Sequence, residues 1–264
     1  MLITSRSHPA VKRFRALRAH GEDEGLCVLE GGKLLAEALR AGIEIVEVAA
    51  SPRARRAEPG AALLAQLESG GASVRHVSEE VLASLSEVEQ DQGLVAVARR
   101  RAFPEDALFT ETPLVLVAAG IQNPGNVGAL LRTAEAAGAT GAYLAGCTDP
   151  WSWKALRGAM GSTFRLPHRR LAGVEEALAR VHARKVTVYA TGSGQGTPYD
   201  GADLRGPCAL LLGNEGSGLD PRVQAAADGA LLIPMSGETE SLNVGVAAGV
   251  LLFEAARQRR NSGG

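Results

Sequence analysis

The sequence is poor in the features that mark secreted, membrane-bound or metal-binding proteins. Its three cysteines, Cys27, Cys147 and Cys208, are far apart and in no CxxC or Cys/His ligand spacing, so neither a disulfide framework nor a zinc site is expected. The longest apolar run, Val244 to Phe253, has about half the length that a membrane span needs. No charged segment followed by an apolar core marks a secretory signal. These absences predict a soluble, cytoplasmic protein.

Several common catalytic signatures are missing as well. The chain has no GxxxxGK[ST] phosphate loop and no GxSxG nucleophile elbow, and its five histidines are too scattered to indicate a metal site. Residues 192–196 (GSGQG) place the third glycine one position too early for a dinucleotide fingerprint, and a turn-like TPYD follows where an apolar helix is needed. A phosphate-loop NTPase is therefore disfavoured, whereas a Ser/His/Asp hydrolase stays open on the residues alone.

Positive and negative charges are nearly balanced over the whole chain, but two segments are enriched in positive charge. The net charge of -1 argues against a strongly basic nucleic-acid carrier. Residues 1–20 and 154–170 nevertheless contain five Lys or Arg residues each and no acidic residue. Each segment is either a solvated face or a contact for phosphate groups, and the sequence leaves both interpretations open.

The hydrophobic pattern changes along the chain. Residues 1–105 alternate short strands and helices, which predicts a compact α/β unit, and the charged, proline-containing stretch 99–113 predicts a linker. In residues 113–264, apolar runs of four to five residues between helices predict a mostly parallel sheet covered on both faces. The expected elements are helices at 8–20, 32–41, 79–85, 127–137, 174–183 and 242–259, and strands at 26–29, 45–49, 74–77, 93–98, 114–118, 141–144, 186–190, 209–212 and 230–233.

Polar, glycine-rich segments follow some of the predicted strands. Residues 121–133 (IQNPGNVGALLRT) connect a strand to a helix, at the place where open α/β sheets bind ligands and helix N-termini bind anions. Asn126 is the expected N-cap of this helix, and Arg132 lies about one and a half turns further on. A capped helix with a surface arginine explains the segment equally well.

Two later segments have the same character. Residues 210–219 (LLLGNEGSGL) place three glycines after an apolar strand, which permits close backbone approach. Residues 233–244 (IPMSGETESLNV) run from a strand through a polar loop into the last helix, for which Ser241 is the expected N-cap.

Three segments together resemble a known family. In chain order, residues 123–134 (NPGNVGALLRTA), 212–219 (LGNEGSGL) and 233–247 (IPMSGETESLNVGVA) resemble the three motifs of the SpoU (TrmH-like) RNA 2′-O-methyltransferases of the SPOUT class. Residues 157–167 (RGAMGSTFRLP) resemble the family's segment between motifs one and two, and residues 29–38 and 92–96 resemble an L30e-like substrate-binding domain. The resemblance implies an L30e-like RNA-binding domain at 1–105 and a methyltransferase domain at 113–264.

The resemblance also implies a fold and an activity. It implies an α/β methyltransferase domain with a deep trefoil knot, and a homodimer whose active site uses both subunits. The cofactor is expected to be S-adenosylmethionine and the substrate a ribose 2′-hydroxyl in 23S ribosomal RNA, because L30e-like domains are typical of rRNA-modifying members. A tRNA ribose methyltransferase and a catalytically silent RNA-binding module are the alternatives.

Site residues are implied by the same resemblance. The catalytic residues are expected to be Arg132, Asn126, Glu215, Ser241 and Asn243, with Asn123 as a further phosphate-positioning residue by analogy. The cofactor site is expected to contain Thr191, Gly192, Gly213, Asn214, Glu215, Gly216, Ile233, Met235, Ser241 and Leu242, with a side chain at Gly213 excluded by the ligand. The candidate RNA contacts are Arg13, Arg15, Arg18, Lys154, Arg157 and Arg165, and no metal is expected.

Overall fold

The computed structural model describes residues 2–20, 25–56, 58–87, 92–192, 196–214, 216, 218–237 and 241–261. The chain divides into two compact units. The N-terminal unit contains residues 1–102 together with Trp151–Phe164, and the C-terminal unit contains residues 103–150 and 165–264.

A mixed four-stranded sheet organises the N-terminal unit. The strands are β1 (Leu26–Glu30), β2 (Ile45–Ala50), β3 (Ser73–His76) and β4 (Leu94–Arg99). Their order in the sheet is β1-β4-β2-β3, with β4 antiparallel to both β1 and β2 and with β2 parallel to β3. The helices are α1 (Pro9–His20), α2 (Gly32–Arg40), α3 (Pro52–Arg56), α4 (Gly60–Ser69), α5 (Glu79–Ala83), α7 (Trp153–Ala159) and α8 (Ser162–Arg165), the last of which ends in the C-terminal unit.

Strand β1 shows how this sheet is covered on both faces. Leu26 and Val28 belong to the hydrophobic cluster that contains α1, whereas Cys27 and Leu29 belong to the cluster that contains α2. This alternation follows from the period of two in a β-strand.

The C-terminal unit is built on a parallel sheet of order β7-β6-β5-β10-β8-β11-β9. Its central strands are buried along nearly their whole length, which explains their uninterrupted apolar sequences. The strands are β5 (Leu114–Ala119), β6 (Gly141–Ala145), β7 (His168–Leu171), β8 (Thr187–Thr191), β9 (Thr197–Pro198), β10 (Cys208–Leu212) and β11 (Gly229–Leu232). The helices are α6 (Pro124–Ala136), α9 (Val174–Ala183), α10 (Pro221–Ala225) and α11 (Val244–Asn261), with 3-10 turns at Glu105–Leu108 and Tyr199–Gly201.

The units differ from the sequence-based division at Trp151–Phe164, which the sequence places in the methyltransferase part. Trp151, Leu156 and Phe164 are buried in the core of the N-terminal unit. Short-range periodicity cannot detect this, because the other members of this core are more than 50 residues away in the sequence.

The expected linker at 99–113 also contains regular structure. Residues Glu105–Leu108 form a 3-10 turn, and Leu108 is fully buried in the C-terminal core. A Cβ atom at Gly141 would lie 2.5 Å from the Leu108 Cγ atom, so the turn packs directly on the start of β6. No helix within the described ranges is long and apolar enough to cross a membrane.

Candidate active site

The carboxyl ends of four parallel strands lie at one edge of the C-terminal sheet. Strand β10 lies between β5 and β8, with Leu212 opposite Ala118 and Leu211 opposite Ala190. Strand β11 continues this edge, with Leu231 opposite Thr191. The three glycine-rich segments found in the sequence therefore begin side by side, at the edge where parallel α/β sheets bind ligands.

The first segment connects β5 to α6. Asn123, not Asn126, is the N-cap of α6: its Oδ1 atom accepts a 2.8 Å hydrogen bond from the Gly125 backbone N–H. The prediction of Asn126 as cap was wrong because Pro124 occupies the first helical turn, where proline is favoured. Asn126 lies within the helix, and its Oδ1 atom is 3.4 Å from Nδ2 of Asn243, which donates to it.

Arg132 lies further along α6 with an exposed side chain. Among the residues that the structure describes, no hydrogen bond, ion pair or ring contact involves this guanidinium. Since a guanidinium carries five donors and no acceptor, Arg132 presents an unused cationic donor group on the surface of α6.

The second segment, after β10, folds back on itself. Asn214 and Gly218 exchange two backbone hydrogen bonds of 3.2 and 2.8 Å, and Oδ1 of Asn214 accepts a 2.8 Å bond from Gly216 N–H. The Asn214 amide also donates 2.9 Å to the carbonyl oxygen of Gly120. The loop is thus tied both internally and to the end of β5. The expected catalytic residue Glu215 lies outside the described residues.

The structure gives a different reason for glycine at 213 than the one expected from the sequence. A Cβ atom at Gly213 would lie 2.5 Å from the carbonyl carbon and oxygen of Gly218. The backbone of the loop itself therefore excludes a side chain here. From the sequence, a bound ligand was expected to exclude a side chain at position 213, but the presence of glycine there is explained without a ligand.

The third segment joins β11 to α11. Ile233 and Leu242 are half-buried, whereas Met235 and Ser241 are exposed. Residues 238–240 lie outside the described ranges. The sequence predicted Ser241 as the N-cap of α11. This prediction was wrong, because the helix begins two residues later than predicted.

Asn243 occupies the cap position of α11 instead. Its Oδ1 atom accepts a 3.0 Å hydrogen bond from Gly245 N–H. A Cβ atom at Gly245 would lie 3.5 Å from the Cβ atom of Ala129, so α11 packs closely on α6 at this point. The N-termini of these two helices, with Asn126 and Asn243, are therefore neighbours.

Two other expected cofactor residues, Thr191 and Gly192, follow β8. The Thr191 hydroxyl donates a 3.0 Å hydrogen bond to the Leu211 carbonyl oxygen. A Cβ atom at Gly192 would lie 2.7 Å from Nε2 of Gln224, so a larger residue would displace that side chain. The Gln224 side chain of α10 therefore lies directly against Gly192.

Some residues that support the site were given no role from the sequence. The Gln122 amide donates 2.8 Å to the Gly146 carbonyl oxygen, and the Thr148 hydroxyl donates 2.7 Å to the Gln122 carbonyl oxygen. The Cys147 sulfur lies 3.4 Å from the Ile121 backbone N–H, and burial raises the pKa of this thiol, which keeps it protonated. The sequence signal that could have pointed to these residues is the glycine that directly follows each strand, Gly120 after β5 and Gly146 after β6. In the structure both glycines have positive φ.

The predicted RNA contacts fall in different surroundings. Arg13, Arg15, Lys154 and Arg157 are exposed in the N-terminal unit. Arg165 belongs to the C-terminal unit and forms a two-point ion pair with Glu135, at 2.5 and 3.0 Å. The basic segment 154–170 is consequently divided between the two units.

No group of three or more His, Cys, Asp or Glu side chains in the described part of the chain is arranged to hold a metal ion. The described side chains at the carboxyl edge are mostly amides, hydroxyls and apolar groups, with backbone exposed at glycines. Such a set suits an organic ligand held by hydrogen bonds and apolar contact.

Comparison with known proteins places these segments in a family. Residues 113–253 match the SpoU rRNA methylase family, and residues 8–96 match an MRM3-like substrate-binding domain. The chain is 32% identical to the 23S rRNA (guanosine(2553)-2′-O)-methyltransferase RlmP of Bacillus subtilis, over 95% of this chain and 97% of that protein. It is 33% identical to the 23S rRNA (guanosine-2′-O-)-methyltransferase RlmB of Shewanella oneidensis, over 75% of this chain and 84% of that protein.

Solved structures agree with this placement. An AdoMet-bound rRNA methyltransferase from Sinorhizobium meliloti superposes with a TM-score of 0.86 at 32% identity, with 97% of both chains covered. A structure described as an RNA 2′-O ribose methyltransferase superposes with a TM-score of 0.82 at 35% identity, covering 98% of this chain and all of that one. The chain belongs to the SpoU rRNA methylase family.

Proposed function

We propose that this chain transfers the methyl group of S-adenosylmethionine to the 2′-hydroxyl of a ribose in 23S ribosomal RNA. The observation that carries the proposal is the meeting of the three family segments at one edge of the sheet, with Asn214 bonded to Gly120 and Asn126 to Asn243. Two relatives that match over at least three quarters of this chain, RlmP and RlmB, are named 23S rRNA 2′-O-methyltransferases. The MRM3-like match at residues 8–96 supports an RNA substrate held by the N-terminal unit.

The residues at this edge suit S-adenosylmethionine. Ile233 and Leu242 offer half-buried apolar side chains for the adenine ring, and Gly213 and Gly216 offer backbone groups that carry no side chain of their own. Thr191, Gly192, Asn214, Met235 and Ser241 complete the proposed cofactor site, with Glu215 as a further candidate. When bound, the cofactor supplies an electrophilic methyl group on a positively charged sulfur.

The proposed role of Arg132 follows from its chemistry. Because a protonated guanidinium has no acceptor, it is poorly suited to be the base that removes the hydroxyl proton. It is well suited to bind the phosphate next to the target ribose and to stabilise the negative charge that develops on the 2′-oxygen as the hydroxyl proton passes to solvent water and the methyl group leaves the sulfur, which becomes a neutral thioether. Its exposure and its lack of a described acidic partner leave it accessible for that contact.

The two asparagines act as positioning residues in this proposal. Asn126 and Asn243 fix the N-termini of α6 and α11 relative to each other. Fixing these helix ends fixes where Arg132 holds the RNA relative to the cofactor loops. Alignment of the ribose oxygen with the methyl carbon and the sulfur then provides most of the rate enhancement, for which orientation effects of about 7 to 11 kcal/mol are available.

A homodimer is part of the proposal. Val246 and Phe253 of α11 are 53% and 47% exposed. Their spacing of seven residues, with half-buried Val250 between them, places all three on one face of the helix. We propose that this face packs against a second copy of the chain. The trefoil knot stays a prediction from the family resemblance.

The deciding experiment is mass spectrometry of ribosomal and transfer RNA after incubation with the protein and isotopically labelled S-adenosylmethionine. We expect labelled 2′-O-methyl nucleotide in 23S rRNA. Arg132→Ala should reduce its formation by roughly 10²- to 10³-fold, while Arg222→Ala, which removes another exposed arginine of the same unit, should not. Label found only in tRNA would show that tRNA, and not 23S rRNA, is the substrate, while the proposed methylation reaction would stand. Failure to bind S-adenosylmethionine in a titration would favour a silent RNA-binding module.

A further inference from the structure

A half-exposed tryptophan on the N-terminal unit is surrounded by three cationic groups. The guanidinium carbon of Arg18 lies 4.4 Å from the ring centroid of Trp153, the Lys154 ammonium 5.2 Å and the Arg157 guanidinium carbon 5.6 Å. We call these four residues the Trp153 surface. Only Arg18 comes from α1; the others belong to α7.

The fold brings these residues together at the edge strand β1. Helices α1 and α7 both pack on β1, and the alternation of its side chains places the two helices on opposite faces of the sheet. Trp151 and Leu156 anchor the α7 segment in the core, which leaves the intervening Trp153 and Lys154 at the surface. The Trp153 surface therefore crosses the edge of the sheet.

Arg18 has a structural role that sets it apart from the other two cations. It forms ion pairs with Glu30 at 2.8 Å and Glu87 at 3.1 Å, and it donates 3.2 Å to the Leu85 carbonyl oxygen. The Glu30 side chain is only 1% exposed. These contacts hold the guanidinium in place against the indole, so the orientation of Trp153 is fixed before any ligand binds.

Lys154 and Arg157 are exposed, and neither forms an ion pair with a carboxylate among the described residues. If the cluster only covered the edge of the sheet, Arg18 and Trp153 would be sufficient for that structural role. Two exposed cations beside an oriented indole are instead the combination that binds single-stranded nucleic acid: aromatic rings stack bases, and nearby cations neutralise phosphates. Arg15, one helical turn before Arg18 and exposed, adds a further cation on the same side of α1.

We propose that an unpaired nucleotide of the RNA substrate stacks on Trp153 while Lys154 and Arg157 contact the flanking phosphates. This inference rests on the proposed function for the identity of the ligand as RNA. The proposed stacking contact makes the protein selective for unpaired RNA, because a paired base inside a duplex cannot stack on a protein ring. Trp153 is thereby a substrate-positioning residue and Arg18 its support.

Binding of an oligouridylate of about 12 nucleotides to the full-length protein tests the proposal. The chain has only two tryptophans, and Trp151 is buried, so base stacking should quench the emission of Trp153. Trp153→Leu should weaken binding roughly 5- to 150-fold, the range expected for loss of one stacked base. Trp153→Phe should keep most of the affinity and lose the quenching, since only Trp151 then emits.

The phosphate contacts have a separate readout. Lys154→Ala combined with Arg157→Ala should lower the slope of log affinity against log salt by roughly 1.4, at about 0.7 per contact with a single strand. Arg40→Gln, which removes an exposed arginine of α2 in the same unit, should leave the slope unchanged. A blunt RNA duplex of equal length should bind without quenching of Trp153.

Unchanged oligouridylate affinity in Trp153→Leu, or an unchanged salt slope in the double variant, would overturn the inference. If Trp153→Leu does not fold, two measurements test the inference without it: the fluorescence of Trp153→Phe on oligouridylate binding, and the salt slope of the variant that combines Lys154→Ala with Arg157→Ala. Failure of the proposed function looks different, because the wild-type protein would then transfer no methyl group to RNA whether or not the oligonucleotide quenches Trp153.

Discussion

The side-chain amide of Asn214 donates a 2.9 Å hydrogen bond to the carbonyl oxygen of Gly120, and so joins the loops that follow two adjacent parallel strands. The other end of the same amide, Oδ1, accepts from Gly216 N–H. One residue thus shapes the second loop and fixes it to the first. The geometry of the proposed cofactor site therefore depends on both the nitrogen and the oxygen of this amide.

Asn214→Asp separates these two functions. The aspartate keeps an oxygen for Gly216 N–H but cannot donate to Gly120, whose carbonyl oxygen would then face a carboxylate. We expect S-adenosylmethionine to bind roughly 10-fold more weakly, because losing the hydrogen bond to the half-buried Gly120 carbonyl oxygen, and placing a carboxylate beside it, disfavours the loop geometry by about 1 to 2 kcal/mol. Isothermal titration calorimetry measures this. Asn214→Ala, which removes both bonds, should bind more weakly still; equal affinity of all three proteins would show that the loop is held by other contacts.

Gly213→Ala tests whether the tight turn after β10 is required. The new Cβ atom would lie 2.5 Å from the Gly218 carbonyl group, so the backbone of the turn must shift. We expect cofactor binding to be lost while thermal unfolding shows a folded protein, because the turn lies at the edge of the sheet and outside its core.

Gly206→Ala is the matched control for that variant. Gly206 is exposed, precedes the amino end of β10, and a Cβ atom there would have no heavy atom within 4 Å. This substitution should leave the cofactor affinity within about threefold of wild type. If both alanine variants bind the cofactor normally, the turn does not form part of the site.

The sequence predicted the parts of the fold that depend on local patterning. The apolar strands β5, β6 and β10 were found because their burial on both faces leaves an uninterrupted hydrophobic run. Helix α4 was missed although Leu63, Leu64 and Leu67 are buried on one side of it, since its glycine and alanine residues weaken the apolar period. The assignment of Trp151–Phe164 to the N-terminal core was inaccessible, because it depends on long-range packing.

The candidate site also combines local and long-range features. The three loops proposed to form it could be picked out from the sequence because a glycine-rich segment directly after an apolar strand is a local signal. The helix caps were misplaced: Asn123 and Asn243 cap α6 and α11, in place of Asn126 and Ser241. In each case several adjacent polar residues can act as caps, and only the backbone position at which the helix begins selects one of them.

Substitution of the exposed apolar face of α11 tests the homodimer. Val246→Glu together with Phe253→Glu should shift the protein from dimer to monomer, since burial of each apolar side chain is worth about 1.5 to 3 kcal/mol and a buried charge opposes association. Light scattering coupled to size-exclusion chromatography reports the mass. Leu2→Glu, at an apolar side chain that is 50% exposed in the other unit, should leave the dimer intact. A monomeric wild-type protein at micromolar concentration would contradict the proposal.

Glu254 of α11 links stability to pH. Arg257 donates to both of its carboxylate oxygens, at 2.8 and 2.7 Å, and Gln258 donates at 2.8 Å. Chiefly because of Arg257, the pKa of Glu254 falls from 4.5 to about 2. A carboxylate with a lowered folded pKa stabilises the native state above its unfolded pKa, and this contribution is lost as the pH falls from about 4.5 towards 2.

Glu254→Gln should therefore lower the free energy of unfolding by about 1 kcal/mol at pH 7, a modest value because the Arg257 side chain is 54% exposed and screened by solvent. Urea denaturation between pH 7 and pH 3 should show the difference from wild type narrowing on acidification. Glu111→Gln, at an exposed glutamate, serves as the control. A difference that stays constant over this range would mean that the ion pair does not contribute and that the substitution acts through packing.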